Sequence, residues 1–126
     1  MTITRTFYYN GYTDNEEILI LRQLTGSNAS YKKSLYEDEQ LTKKVGSLKQ
    51  EVELLDNTKK VAVIDIETTI TTDEGIIKYK YIRDSYKKIT TVDTERTSGI
   101  FTKGIVEITQ ANVDKGIRKV IYTSRG

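Results

Sequence analysis

The sequence predicts an all-β domain of antiparallel strands, and three observations carry that prediction. Thr, Val, Ile and Tyr, which suit a pleated and half-buried surface, recur along the chain in alternating runs. Turn sequences with glycine, such as Asn10-Gly11 and Asp73-Glu74-Gly75, separate those runs at hairpin spacing. The 126 residues contain no linker, repeat or low-complexity segment, so 1–126 reads as one domain with a single core.

Taken in order, Thr6-Phe7-Tyr8-Tyr9 is the first strand candidate and runs into Asn10-Gly11, a strong two-residue hairpin signal. Residues 1–15 are expected as an N-terminal hairpin or arm, whose tyrosines could dock on a neighbour. Ile18 to Leu24 is mostly apolar and reads as a buried strand, and Gly26 to Ser30 as a small polar loop. Val61 to Thr72 alternates: Ala62, Ile64, Ile66 and Ile70 share one face, with Asp65, Glu67 and Thr69 on the other. After the turn at 73–75, Ile77, Tyr79 and Tyr81 share a face of the return strand, opposite Lys78 and Lys80. Tyr86 to Val92, Ile100 to Thr109 and Ile117 to Thr123 complete the set of strand candidates.

One segment has a different period. Leu41, Val45, Leu48, Val52 and Leu55 fall at alternating spacings of four and three, a helical and heptad-like pattern, and Glu39 to Lys43 adds an i, i+4 pair. Gly46 opposes a helix there, and Leu48, Val52 and Leu54 also share one strand face with Gln50. Pattern alone favours helix over 41–55.

Composition excludes whole classes of chemistry. Without Cys or His there is no disulfide, no thiolate, no Cys-rich zinc site and no Ser-His-Asp or Cys-His mechanism. The acidic residues form no D-x-D-x-D-G loop, so neither a metal nor a cofactor is expected. Lys plus Arg number 20 against 18 acids, a net +2 that is too slight for a phosphate-tracking face. The pairs Lys32-Lys33, Lys43-Lys44, Lys59-Lys60 and Lys87-Lys88 read as solvated strand ends, and no nucleic-acid partner is expected. No apolar run reaches membrane-spanning length, and no basic-then-apolar leader supports glycosylation at Asn28-Ala29-Ser30. A soluble, cytoplasmic protein is the expectation.

The stretch Arg96 to Ile108, RTSGIFTKGIVEI, spends two of only eight glycines within six residues. A phosphate cradle would need a longer glycine loop feeding a helix, and Gly104 is followed by the strand-like Ile105-Val106-Glu107-Ile108. A simple hairpin turn at Lys103-Gly104 and a barrel strand bending at its glycines both stay open. SGIFTKGIVEI resembles the late-strand motif of the allene oxide cyclase-like barrel superfamily. Ser34 to Gly46, SLYEDEQLTKKVG, resembles the Leu-Tyr, acidic, Ile/Val-Gly segment of those families, and IETTITTDEGIIKY, Ile66 to Tyr79, resembles the central hairpin of the bacterial spirotetronate cyclases. Dirigent proteins are more distant. The three patches keep the same order and cover Tyr31 to Gly126.

The resemblance implies a small closed antiparallel β-barrel of about eight strands. It also implies a strand, not a helix, after Gly46. In such a barrel one face of every strand lines the interior, which makes Tyr79 and Tyr81 the leading lining candidates. Phe101 and Tyr122 follow on the same logic, and Gln50, Glu67 and Arg83 are the polar residues to seek inside. For the polar three an exposed strand position is the alternative, and the tyrosines could instead cover an oligomer face. The implied activity is a cofactor-free cyclase that folds a flexible, polyketide-like substrate for intramolecular, Diels–Alder-type cyclisation. The implied partners are a small hydrophobic substrate and a second copy of the chain, a dimer being favoured. A non-catalytic ligand-binding or dirigent-like barrel, or a structural protein with a filled core, are the alternatives. Two departures from the family patterns bear on chemistry. The plant Pro-Phe-x-Asn stretch corresponds to Ser30-Tyr31-Lys32-Lys33, and the bacterial Arg and Trp correspond to Val106 and Ile108. Allene oxide cyclisation is therefore not expected, and no catalytic residue transfers.

Overall fold

The computed structural model describes residues 2–11, 28–57, 62–83, 91–112 and 114–125, with the side chains at 28–29, 54–57, 62–64 and 83 outside that description. Eight strands run in chain order: β1 (Thr4–Asn10), β2 (Asn28–Tyr36), β3 (Lys44–Asn57), β4 (Ala62–Thr72), β5 (Gly75–Arg83), β6 (Thr91–Thr97), β7 (Gly104–Asn112) and β8 (Ile117–Ser124). Each pairs antiparallel with the next, and β1 pairs with β8 from Thr4↔Thr123 to Asn10↔Ile117, which closes the barrel. The all-β barrel expectation is met, and no helix occurs among the described residues.

Several expectations change at the level of elements. Thr4–Asn10, part of the segment read as an arm, is a wall strand bonded to β8 along its length. The helical reading of 41–55 gives way to β3. Leu41, its first anchor, sits at φ 59° in the loop after β2, where the Asp38 carboxylate accepts from the Thr42 and Lys43 amides at 3.0 and 2.9 Å. Beyond that loop, β3 is held by ladders on both sides, against β2 and β4, and tertiary pairing overrides local period. Asn28–Ser30, read as loop, begins β2. The strand expected from Ile100 begins only at Gly104, with residues 98–103 forming a loop. Ile18 to Leu24 and Tyr86 to Thr90 lie outside the described residues.

The interior follows from period-two alternation. Phe7 and Tyr9 of β1, Leu35 of β2, Leu48 and Val52 of β3, and Ile66 and Ile70 of β4 are buried on one face. Ile77 and Tyr79 of β5, Val106 and Ile108 of β7, and Val120 and Tyr122 of β8 complete the core. Each such side chain contributes about 1.5–3 kcal/mol when removed from water.

One end of the barrel is plugged. The β6–β7 loop folds Phe101 inward to 2% exposure, edge-on to Tyr122 at 5.1 Å between ring centroids. The Tyr122 hydroxyl donates to the Thr102 carbonyl at 2.6 Å and accepts from the Thr102 amide at 2.9 Å. The two glycines of this stretch have separate reasons. Gly99 has φ 68°, and a Cβ there would lie 2.0 Å from the Glu74 carbonyl oxygen. Gly104 starts β7 so close to β8 that a Cβ would meet the Thr123 carbonyl oxygen at 2.2 Å. Neither forms a phosphate cradle. Across the same end, Arg5 of β1 reaches Glu74 on the β4–β5 turn, on the opposite side of the ring. Nε donates to Oε1 at 3.0 Å and Nη2 to Oε2 at 2.9 Å.

Because the obstacle at Gly104 is backbone, it cannot move aside cheaply. Gly104→Ala is expected to destabilise the fold by about 1–3 kcal/mol in urea unfolding. Lys103→Ala, at an exposed neighbour, should stay within about 0.5 kcal/mol.

Candidate functional site

The interior beyond the plug carries a polar row that strand register assembles. Tyr31 of β2 stands opposite Gln50 of β3, Gln50 opposite Thr68 of β4, Thr68 opposite Tyr79 of β5, and Tyr79 opposite Thr94 of β6. Because paired positions project to the same side of a sheet, these five side chains form a belt around the inner wall. Apolar rows bound it on either side: Leu48, Ile70 and Ile77 toward the plug, and Val52 and Ile66 away from it. Gln50 Nε2 donates to Thr68 Oγ1 at 3.3 Å, and Thr68 in turn hydrogen-bonds the Tyr79 hydroxyl. Thr94 Oγ1 accepts from the Gly104 amide at 2.9 Å. Buried polar groups persist only when bonded in this way.

Tyr79 is 1% exposed, and its hydroxyl is pushed well above the usual tyrosine range. Burial is the main cause, with the neighbouring Tyr9 and Tyr81 hydroxyls adding repulsion of the ionised form and the Thr68 bond opposing both. Tyr81 stacks on Tyr79 with centroids 6.1 Å apart and an interplanar angle of 16°. Tyr9 and Tyr81 thus both lie close to Tyr79 on the inner face.

Two surface concavities lie over this half of the barrel, beside the β1–β2 and β5–β6 ladders. The described β1–β2 pairing is Tyr8↔Tyr36, and beside it a concavity of about 540 Å³ is lined by Asn10, Tyr31, Lys33 and Leu41 among others. Between β5 and β6 the described pairing runs from Ile77↔Thr97 to Tyr79↔Thr94. Past it a concavity of about 660 Å³ is lined by Tyr81, Val92, Lys80, Ile82 and Asp93 among others.

The residues expected to line a cavity divide into four groups. Gln50, Tyr79 and Tyr81 come together on the belt and at its edge. Phe101 and Tyr122 are interior but belong to the plug, where Tyr122 spends its hydroxyl on Thr102. Glu67 is on the outer face, where Lys78 Nζ meets its carboxylate at 2.8 Å and holds it below the ordinary carboxylate range. It alternates with Ile66 and Thr68, so it cannot share their direction. Arg83 ends β5 opposite Ile64, with its side chain outside the described residues. Sequence reasoning missed Tyr9, Tyr31, Thr68 and Lys33. Thr68 could have been found by its parity with Ile66 and Ile70, and Tyr9 by its parity with Phe7.

The belt offers hydroxyl and amide groups in a fixed array. Among the described strand acids, Glu51, Glu53, Asp65, Glu67, Asp93 and Glu107 point outward by alternation, and Glu95, unpaired at the β6 irregularity, is exposed. Among the described residues no group of three or more Asp or Glu could hold a metal ion.

No family model matches the chain, and no curated protein matches it. Among solved structures, the chain is similar to pyocyanin demethylase, with a TM-score of 0.64 over 95% of this chain and 98% of that one at 17% sequence identity. That likeness shows a shared small-barrel fold.

Two titrations follow from these contacts. Glu74 lies below the ordinary carboxylate range, chiefly through its hydrogen bonds to Arg5. Its contribution to stability is present above the unfolded pKa and is lost as pH falls through the lower folded value. Carboxyl-carbon NMR should show Arg5→Gln raising the Glu74 midpoint, with less than about 1 kcal/mol lost at neutral pH because both partners are over a third exposed. Tyr79 behaves oppositely. Its raised folded pKa leaves stability intact below the unfolded tyrosine value and erodes it as pH rises beyond. Ultraviolet titration should show a tyrosine component that ionises only as the chain unfolds, and Tyr79→Phe should diminish it.

Proposed function

We propose that the chain is a cofactor-free barrel enzyme that holds a small, flexible, polyketide-like substrate at the belt and promotes its intramolecular cyclisation. The observation that carries this reading is the placement of Gln50, Tyr79 and Tyr81 on the inner face, between apolar rows. A neutral phenol or amide can polarise a carbonyl without a charged group, which suits a site with no inward carboxylate among the described strands. An apolar wall that holds reacting ends in near-attack geometry supplies the remainder through lost translational and rotational freedom. Tyr81 is our candidate for touching substrate, since it is partly buried and lines a surface concavity. Tyr79 lies beneath it, fully buried, and acts as a positioning residue through stacking.

The motif likeness to allene oxide cyclase-like barrels, spirotetronate cyclases among them, supports the reading. The similarity to pyocyanin demethylase supports a barrel of this kind serving an enzyme. That protein's name describes a demethylation, so the fold does not dictate the reaction. A carrier without turnover is the second reading. It is favoured by the same absence of an inward carboxylate, which leaves the described belt no general base.

Linear polyenes bearing an internal carbonyl should be incubated with the protein and analysed for a product of unchanged mass and altered retention. Turnover is expected, with Tyr81→Phe slowing it by about 10²-fold. Binding of such compounds without any product would establish the carrier, and no binding would end both readings.

A further inference from the structure

Register sorts the outer face of β3, β4 and β5 into rows, and charge follows the rows. Lys32, Lys49, Thr69, Lys78 and Arg96 pair in sequence across β2 to β6, a row of four cations and no acid. The rows two and four residues along hold Glu51 opposite Glu67 and Glu53 opposite Asp65, with Lys80 of β5 beside them. Like charges directly opposite destabilise a sheet, and alternating signs at these positions would have removed the penalty. Ion pairs along and between strands offset part of it: Lys49–Glu51 at 3.2 Å, Lys78–Glu67 at 2.8 Å and Lys80–Asp65 at 3.7 Å. Pairing within one chain therefore does not account for the segregation.

The same face carries two apolar side chains that a single barrel leaves in water. Ile76 is 39% and Ile82 56% exposed, both on β5. They stand three residues to either side of Tyr79, at the outward positions beyond Lys78 and Lys80. On β3, Lys49 and Glu51 likewise flank Gln50, and on β4, Thr69 and Glu67 flank Thr68. Gln50, Thr68 and Tyr79 are register partners, so one line across the three strands is the midpoint of all three arrangements. A two-fold axis laid along that line, in the plane of contact, turns the face onto a second copy of itself. Lys49 then meets Glu51 of the second copy, Thr69 meets Glu67, and Ile76 meets Ile82, each contact being made twice. Lys78 meets Lys80, and both are already held by carboxylates, of Glu67 and Asp65. An axis parallel to the strands would instead lay every row on its like.

We propose that the outer face of β3–β5 is a self-association surface, on which a second copy of the chain packs about a two-fold axis over the Gln50–Thr68–Tyr79 row. The occupant is a second copy because the charged and apolar groups complement the same face turned round. An acidic partner would suit only the Lys49 row, and a basic one only the Glu51 and Glu53 rows. Seven residues along three strands span about 23 Å by about 14 Å. Even with side chains of β2 and β6 added, that stays below the roughly 800 Å² per partner of a standard interface. The association is accordingly weak and depends on concentration.

Sedimentation velocity of the full chain, over a concentration series reaching about 1 mM, tests this. A reversible monomer–dimer equilibrium that weakens with rising salt is expected. Ile82→Glu, at an exposed position where folding is little affected, should weaken association about tenfold or more. Two charge reversals, Lys49→Glu and Glu51→Lys, then report on the axis. Each alone sets like against like across the dimer and should weaken self-association about tenfold. Mixed in equal amounts, the two variants should associate with each other about as tightly as the unaltered chain, because residue 49 of one copy meets residue 51 of the other with opposite sign. Within each variant 49 and 51 carry the same sign, so contacts inside one chain cannot produce that rescue. A chain that stays monomeric across the series would overturn the proposal. So would a dimer indifferent to all three variants, or charge reversals that weaken association without rescue on mixing.

Discussion

Everything inside this protein depends on the ladder between its first and last strands. Eight antiparallel strands in chain order would otherwise leave two open edges, a liability that only closure removes fully. The ladder from Thr4↔Thr123 to Asn10↔Ile117 supplies that closure, and Ile3 and Ser124 extend it through reciprocal bonds of 2.8 and 2.9 Å. Only in a closed ring does an inner face exist, and only then do Phe7 and Tyr9 meet Val120 and Tyr122 inside it. The partners are as distant in sequence as the chain allows, so closure carries a large loop entropy that the buried inner face must offset.

Closure makes the two halves of the interior into different materials. At the plugged end, carbonyl oxygens pack where glycine leaves room, Phe101 fills the bore, and a bidentate ion pair crosses the mouth. Such packing has no slack, since interiors at crystal-like density respond even to a methyl group. In the other half the described β1–β2 and β5–β6 ladders are short, and the belt runs across the strands from β2 to β6. A polar row inside an apolar barrel is stable only as a connected set, so Gln50, Thr68 and Tyr79 specify one arrangement rather than several.

The parts legible in the sequence were those fixed by neighbours along the chain. The Asp-Glu-Gly turn and the alternation of Ile66, Thr68 and Ile70 or Ile77, Tyr79 and Tyr81 need no distant partner to be read. The parts set by pairing were not legible. The four-and-three spacing over 41–55 suggested a helix because Gln50 occupies an inner position where an apolar residue would have shown period two. Phe101 looked like a strand residue because Ile100-Phe101 stands close before the alternating Ile105 to Ile108, and the positive φ of Gly99 that turns the chain leaves no mark in that pattern. Glu67 needed only consistency: a strand that sends Ile66 and Ile70 inward must send Glu67 out. The belt itself depends on register across five strands, with an irregularity between Lys78 and Tyr79, and no local pattern encodes that.

The protonation of Tyr79 bears most directly on what chemistry the belt can support. Burial and two neighbouring tyrosines keep it neutral through the physiological range, so it acts as a hydrogen-bonding group and not as a base. With the described strand acids facing outward, its nearest partners are likewise neutral, Thr68 and Gln50. A wall of this kind can orient a molecule and stabilise a polarised oxygen, but its described residues offer no ready route for a proton out of the ligand. Reactions whose barrier lies mainly in bringing two ends of one molecule together make the fewest demands it cannot meet. Those that begin with abstraction of a weakly acidic proton would need a group the described inner face does not carry.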